Sequence, residues 1–99
     1  MKLTIDTIRH QVKLNDALLS DLTKREFQIL NFLCEEPGRV YSRNQIYSRI
    51  WERQTNTNDR TVDVHIVQLR KKISKQLIKS IKGVGYKITL DPKDIQIIK

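Results

Sequence analysis

One short pattern occurs twice in the first half of the chain and fixes where two helices begin. Thr23 is followed three residues later by Glu26, and Ser42 is followed at the same distance by Gln45. At this spacing the hydroxyl and the longer side chain satisfy two backbone amides that a helix leaves unpaired at its N-terminus. Apolar residues also flank each pattern at the spacing of a hydrophobic staple. The chain must therefore contain helices that start after Thr23 and after Ser42.

Apolar residues repeat at helical spacing after both starts, and again after a polar segment rich in Asn and Thr. These repeats predict three helices, over about residues 23–35, 43–51 and 59–75. Asn58 or Asp59 is available to cap the third helix. The central part of the chain is therefore predicted to be helical.

The two ends of the chain have strand character instead. The first residues alternate in polarity around a turn at Asn15 and Asp16, which predicts an antiparallel sheet over about residues 3–20. Near the other end, alternating residues around a glycine-rich turn predict a hairpin over about residues 77–90. We assign no structure to the chain beyond Leu90.

A sheet, three helices and a hairpin, in this order, form an α+β fold of the winged helix-turn-helix type, with the C-terminal β-hairpin as the wing. A chain of 99 residues, 38% of them hydrophobic, can build one compact core, so residues 1–99 are predicted to be a single domain. No apolar run approaches the roughly 20 residues that span a bilayer, and the start lacks a signal-peptide pattern. We expect a cytoplasmic protein without a membrane partner.

The positive charge of the chain is concentrated in its middle and later parts. The net charge is +8, and residues 59–87 contain eight Lys and Arg against two Asp and Glu. Residues 1–38, by contrast, contain five Lys and Arg against six Asp and Glu. This asymmetry is typical of a protein with a polyanionic partner, most often nucleic acid. An anionic membrane surface or a solvated face would carry the same charge, so charge alone does not choose between them.

The third predicted helix carries two apolar side chains on its cationic face. Val62, Ile66 and Leu69 form one stripe, whereas Val64 and Val67 fall on the opposite side among basic residues. A helix that reads the major groove needs cations for phosphates, an amide for adenine and small apolar groups for the thymine methyl. The same pattern also fits valines buried under the hairpin or the sheet. Periodicity leaves both interpretations open.

The hairpin presents one cation at its tip, and no arrangement in the sequence resembles a catalytic or metal site. Lys82 directly precedes a Gly-Val-Gly turn, so its ammonium lies on a slim projection of the size that a minor groove admits. His10 and His65 lack a metal-spaced partner, and Cys34 has no second cysteine and lies in an apolar pattern. We expect no enzymatic activity, no metal and no cofactor, and Cys34 in the core.

Four stretches of the chain resemble the DNA-binding effector domain of OmpR/PhoB-type response regulators. The segments LTKREFQIL, PGRVYSRNQIYSRIW, DRTVDVHIVQLRKKI and IKSIKGVGYKI occur in that family's order and spacing. The resemblance implies a sheet of about four strands, three helices and a wing, with the third helix in the major groove of promoter DNA and the wing in the minor groove. It also implies self-association on tandem half-sites. The family usually has a receiver domain before this module, so we expect either an excised fragment or a standalone regulator without a phosphorylation switch.

The resemblance also implies roles for individual residues. It matches Arg60, Thr61, His65 and Arg70 to phosphate contacts, Asp63, Val64 and Gln68 to groove-facing positions, and Ser80 and Lys82 to the wing. With Val67 and Lys71, which helical spacing places on the same face, the predicted DNA-binding residues are Arg60, Thr61, Asp63, Val64, His65, Val67, Gln68, Arg70, Lys71, Ser80 and Lys82. Relatives often carry two arginines where this chain has Val67 and Gln68, which makes an A·T-leaning site plausible.

The segment after the second helix is a second candidate interaction site. The resemblance matches it to the loop through which family members can touch RNA polymerase. Its residues are Glu52, Arg53, Gln54, Thr55, Asn56, Thr57 and Asn58. Winged helices also dock onto other proteins, so a protein-interaction module is the alternative to a DNA-binding domain.

Overall fold

A computed structural model of the protein describes residues 1–52 and 60–99. Along these residues the chain forms β1 (Leu3–Asp6), β2 (Gln11–Leu14), β3 (Ala17–Leu19), α1 (Lys24–Glu35), α2 (Arg43–Trp51), α3 (Thr61–Lys72), β4 (Ile78–Ile81), β5 (Gly85–Ile88) and β6 (Ile95–Ile98). The sheet, the three helices and the β4–β5 hairpin make the α+β winged helix-turn-helix that the sequence predicts. No helix in the described residues is long and apolar enough to cross a membrane.

The N-terminal sheet has four strands in the order β3, β2, β1, β6. The first three strands pair antiparallel, and the turn between β2 and β3 contains Asn15 and Asp16, both with positive φ, as predicted. The chain beyond Leu90, to which the sequence assigns no structure, forms β6, which pairs parallel with β1. Ile95 and Ile97 pack against the core and hold this last strand in place. The sheet is therefore mixed, not purely antiparallel.

Helices α1 and α2 begin at the two predicted capping boxes. In α1 the Glu26 amide donates to Thr23 Oγ1 at 3.2 Å, and the Thr23 amide donates to Glu26 Oε1 at 2.9 Å. In α2 the Gln45 amide donates to Ser42 Oγ at 3.1 Å, and the Ser42 amide donates to Gln45 Oε1 at 2.8 Å. These reciprocal bonds satisfy amides that would otherwise be unpaired, which is why both helices start at these residues.

Helix α3 is shorter than the predicted span of residues 59–75. Its N-cap is Arg60 and it ends at Lys72, while residue 59 lies outside the described residues. Beyond the helix the chain turns so that Leu77 and Ile78 are both buried. The turn begins after Ile73, the C-cap residue, and the Leu77 amide closes it by donating to the Ser74 carbonyl oxygen at 3.3 Å. This turn leads directly into β4, so the chain leaves the helix earlier than predicted.

The β4–β5 hairpin, the wing, is anchored against the residues that lead into α2. Tyr41 and Tyr86 exchange two backbone hydrogen bonds of 2.9 Å. Gly85 lies so close to this contact that a Cβ atom there would sit 1.9 Å from the Tyr41 carbonyl oxygen. Only glycine permits this approach, so Gly85 sets the distance between the wing and the start of α2.

The core lies between the sheet, the three helices and the wing. The fully buried side chains are Leu3, Ile5, Val12, Ile29, Leu30, Leu33, Ile46, Val62, Ile66, Leu69, Ile78 and Ile88. Cys34 is buried with them, as predicted, and burial raises the pKa of its thiol to about 12. The thiol therefore stays protonated at neutral pH.

An ion pair at the edge of the core joins α1 to the end of α3. Lys72 Nζ lies 2.8 Å from Glu26 Oε1, with the Glu26 side chain 3% exposed and that of Lys72 22% exposed. Lys72 also donates to the Asp21 carbonyl oxygen at 2.8 Å. Burial raises the pKa of Glu26, but the hydrogen bonds from Lys72 and Thr23 outweigh it and leave this pKa below its ordinary value. One carboxylate thus serves both the capping box of α1 and the attachment of α3.

Candidate nucleic-acid interface

The face of α3 that points away from the core combines apolar and polar side chains in solvent. Val64 is 60% exposed and Val67 is 48% exposed, so neither valine is buried under the wing or the sheet. Gln68 and Lys71 are exposed beside them. Of the two interpretations that periodicity left open, the one that buries both valines is wrong. This face offers methyl groups, an amide and an ammonium group to a partner.

The Asp63 carboxylate accepts hydrogen bonds within the protein, although the resemblance matched this residue to a groove-facing position. Its Oδ1 accepts hydrogen bonds from Arg43 Nε at 2.9 Å and from the Tyr86 hydroxyl at 2.7 Å. Its Oδ2 accepts from Arg60 Nη1 at 3.2 Å. The carboxylate therefore connects the first turn of α3 to α2 and to the wing.

These contacts shift the pKa values of both partners in opposite directions. Partial burial raises the pKa of Asp63, but the hydrogen bonds from Tyr86, Arg43 and Arg60 outweigh it and lower this pKa overall. Burial and the bond to Asp63 raise the pKa of Tyr86 to about 12. At neutral pH Asp63 is therefore ionised and Tyr86 keeps its proton, which is the combination that this bond needs.

Arg43 belongs to the site although it was not among the predicted residues. It is the first residue of α2, and its guanidinium pairs with Asp63 of α3. The available signal was its position directly after the Ser42 cap, where the first helix of a helix-turn-helix crosses a DNA backbone. Helical periodicity within α3 could not reveal it, because the residue lies on another helix.

Three other predicted phosphate contacts are partly buried at the edges of α3. The His65 ring lies 5.3 Å from the Trp51 ring, centroid to centroid. Arg70 Nη2 donates to the Lys75 carbonyl oxygen at 3.3 Å, so this side chain also closes the turn after α3. Thr61 is half-buried at the first position of the helix. These side chains therefore flank the exposed face and do not form its centre.

The wing carries its exposed side chains at the tip. Lys82 and Ser80 are exposed, and Val84 is 56% exposed. Gly83 has a φ of +76°, and this left-handed backbone makes the tight turn between the two strands. The wing and the start of α2 enclose an open groove of about 380 Å³. Cationic and hydroxyl groups line both walls of this groove.

The structure covers the second candidate site only at its first residue. Glu52 has a left-handed backbone with φ +57° and caps the C-terminus of α2. The rest of the predicted RNA polymerase segment, residues 53–58, lies outside the described residues, as do the proposed caps Asn58 and Asp59. Among residues 1–52 and 60–99, no group of three or more His, Cys, Asp or Glu side chains could hold a metal ion.

A protein-family model described as "Transcriptional regulatory protein, C terminal" matches residues 18–88. The uncharacterized transcriptional regulatory protein YclJ of Bacillus subtilis is 40% identical over 91 residues, which are 89% of this chain and 40% of YclJ. The phosphate regulon transcriptional regulatory protein PhoB of Klebsiella pneumoniae is 36% identical over 91 residues, which are 88% of this chain and 39% of PhoB. The chain thus spans about 40% of the length of these curated relatives.

The fold also matches a solved structure of a relative bound to its DNA site. The DNA-binding domain of Klebsiella pneumoniae RstA, crystallised in complex with the RstA box, superposes with a TM-score of 0.83. It is 29% identical in sequence, over 90% of this chain and 92% of that chain. The matched family region contains both capping boxes, α3 and the wing. The chain therefore belongs to the family of transcriptional regulatory protein C-terminal domains, the effector domains of OmpR/PhoB-type response regulators.

Proposed function

We propose that this domain binds double-stranded promoter DNA as a transcription regulator, with α3 in the major groove and the wing in the minor groove. The observation that carries the proposal is the exposure of Val64 and Val67 on the cationic face of α3. Methyl groups in solvent gain nothing there, but in a major groove they meet the C5-methyl group of thymine. The DNA-binding domain of RstA, which shares this fold, was crystallised in complex with the RstA box, and this supports DNA binding.

The charges around the valines supply the sequence-independent part of the binding. Lys71 lies on the same face of α3, Arg60 lies at its N-terminus, and Lys82 lies at the tip of the wing. Cations at these three places can neutralise phosphates on both sides of a groove. The net charge of +8 also attracts the polyanionic DNA at long range, while the two molecules are still diffusing toward each other.

Val67 and Gln68 should give the domain its own base preference. A valine in contact with a thymine methyl and a glutamine paired with adenine both favour A·T base pairs. We therefore propose an operator that is richer in A·T pairs, at the positions these residues reach, than the sites of relatives with two arginines there.

The remaining partners follow from the response-regulator family. We propose that the domain works next to a receiver domain, as in a two-component system, and associates with further copies on tandem half-sites. We also propose that residues 52–58 contact RNA polymerase. The net charge and the exposed α3 face support DNA binding independently of these partners.

The proposal is tested by measuring the affinity of the 99-residue chain for duplex DNA at increasing salt concentrations. Fluorescence of Trp51, which lies beside His65 of α3, provides a signal without a label. We expect the logarithm of the affinity to fall linearly with the logarithm of the salt concentration, because each phosphate contact releases counterions. An affinity that is independent of salt, or no binding of random duplex DNA at low salt, would favour the protein-interaction module instead.

A further inference from the structure

We propose that Asp63 is a positioning residue for DNA binding: its carboxylate holds the wing and two arginines in place relative to α3 and does not contact a base. The inference rests on the proposed DNA binding. It gives Asp63 a different role from the groove-facing one that the family resemblance implied.

The first observation is that the donors to Asp63 come from three separate parts of the fold. Arg43 starts α2, Arg60 caps α3 and Tyr86 lies in β5. The three donor distances to the carboxylate oxygens are 2.9, 3.2 and 2.7 Å. A single side chain thus fixes the two helices of the helix-turn-helix and the wing against one another.

The second observation is that these contacts leave Asp63 poorly placed to read a base. An aspartate reads DNA by accepting a hydrogen bond from the amino group of cytosine. The Asp63 side chain is only 19% exposed, and both of its oxygens already accept hydrogen bonds. Turning it toward a base would leave charged and hydroxyl donors unpaired, which costs more than one new bond returns.

The wing is the part of the interface that depends most on this attachment. Its tip, with Lys82 and Val84, projects into solvent. Its base is held next to α2 by the backbone pair of Tyr41 and Tyr86, and next to α3 by the Tyr86 hydroxyl. Without the hydroxyl bond the wing keeps its strands and its core packing but loses this hydrogen bond to α3. The ammonium of Lys82 would then be less well placed over the minor groove.

The experiment combines Tyr86→Phe with Lys82→Ala, using a duplex that the wild-type chain has selected from random DNA as the probe. Tyr86→Phe removes one oxygen atom and keeps the ring, so the variant should fold even if Asp63→Ala does not. We expect Tyr86→Phe to weaken binding about fivefold in the wild-type background and less than about twofold in the Lys82→Ala background. If the two losses simply multiply, the hydroxyl does not act through the wing and the proposal is overturned.

Tyr47→Phe is the matched control. Tyr47 stacks on Trp51 with ring centroids 4.9 Å apart, and Tyr47→Phe removes the same hydroxyl group from a tyrosine that is not a donor to Asp63. We expect its DNA affinity to equal that of the wild type. A loss as large as that of Tyr86→Phe would mean that removal of any tyrosine hydroxyl weakens binding, and would contradict the positioning role.

A second measurement separates positioning from base recognition. The affinity of Asp63→Ala, or of Asp63→Asn if the alanine variant is unfolded, is measured on duplexes with single base changes across the selected site. A positioning residue lowers affinity by the same factor on every duplex. Loss of discrimination at one base pair would show that Asp63 reads a base, and would overturn the inference.

The outcome for the wild-type chain separates this inference from the proposed function. If the wild type shows no salt-dependent binding of duplex DNA, the proposed function and this inference fail together. If the wild type binds, but Tyr86→Phe and Lys82→Ala act independently, only the positioning role of Asp63 fails.

Discussion

Helix α3 is held at each end by a carboxylate, and the two attachments differ in their surroundings. At the C-terminal end Lys72 pairs with Glu26, whose side chain is 3% exposed. At the N-terminal end Asp63 pairs with Arg43 and Arg60, whose side chains are 41% and 72% exposed. Glu26, the partner at the C-terminal end, is buried at the edge of the core. Arg43 and Arg60, the partners at the N-terminal end, lie on the side of the proposed DNA. The same chemical group should therefore serve stability at one end of the helix and DNA affinity at the other.

The largest expected effect comes from breaking the C-terminal attachment. Glu26→Ala removes the capping box of α1 and leaves the partly buried ammonium of Lys72 without its carboxylate. We expect the free energy of unfolding to fall by about 3 kcal/mol. Denaturant unfolding at neutral pH measures this loss. DNA affinity of the folded protein should stay within about twofold of the wild type, because no DNA-facing group changes.

Glu26→Gln is the control, since glutamine can still complete a capping box. It should cost less than Glu26→Ala and should also change the pH dependence. The pKa of Glu26 is below its ordinary value of 4.5, so its stabilising contribution is complete above that value and is lost as pH falls through the lower folded-state pKa. Stability of Glu26→Gln should therefore fall less steeply in acid. An acid limb as steep as that of the wild type would contradict this role of Glu26.

The second-largest expected effect is a loss of DNA affinity without a loss of stability. Lys82→Ala removes an exposed ammonium at the wing tip, so the free energy of unfolding should be unchanged within about 0.5 kcal/mol. DNA affinity should fall about fivefold to tenfold, with the salt dependence flattened by about one unit, because one phosphate contact is lost. Titrations at several salt concentrations measure both quantities. An unchanged salt dependence would exclude Lys82 as a phosphate contact.

Arg70→Ala offers a comparison with Lys82→Ala. Its guanidinium donates to the Lys75 carbonyl oxygen in the turn after α3, whereas Lys82 lies at an open tip. Its removal should therefore reduce both stability and affinity. This contrast shows why the position of a cation, and not its charge alone, decides which property it supports.

The third expected effect is smaller and is a change in stability at alkaline pH, caused by Tyr86 at the N-terminal attachment. Burial and the bond to Asp63 raise the pKa of Tyr86 from 10.0 to about 12, so the stability that the protonated hydroxyl contributes is complete below pH 10 and is lost as pH rises toward 12. Tyr86→Phe should lack this part of the alkaline loss of stability. Tyr41, whose pKa is also raised, is still present in the variant, so part of the loss of stability at alkaline pH should remain. Identical alkaline limbs for the two proteins would contradict the effect.

The sequence predicts features that depend on neighbouring residues and misses those that depend on distant ones. The capping boxes of Thr23 and Ser42 each close within three residues, so both helix starts could be predicted. Strand β6 could not, because its partner β1 lies at the opposite end of the chain. The predicted end of α3 is too late because helical spacing does not show that the chain turns after Ile73 to enter β4.

The candidate site divides in the same way. Helical spacing alone placed Val64 and Val67 opposite the core, but only the packing of the other elements decides that this face stays open. Two of the three partners of Asp63 could not be predicted from helical spacing, because Arg43 and Tyr86 lie 20 and 23 residues away along the chain. A family resemblance can assign a residue to an interface without showing which groups its side chain contacts.

The smallest expected effect comes from Val67, which lies between the two attachments at the centre of the exposed face of α3. Val67→Ala removes two methyl groups that are 48% exposed and support no core contact, so stability should hold and overall affinity should change by less than about threefold. The preference for thymine at the positions that Val67 reaches should weaken, whereas Val84→Ala at the wing tip should leave those positions unchanged. Affinity is measured on duplexes with single thymine replacements. Equal losses on every duplex would mean that Val67 fills space without reading thymine, and base preference would then rest on Gln68 and its neighbours.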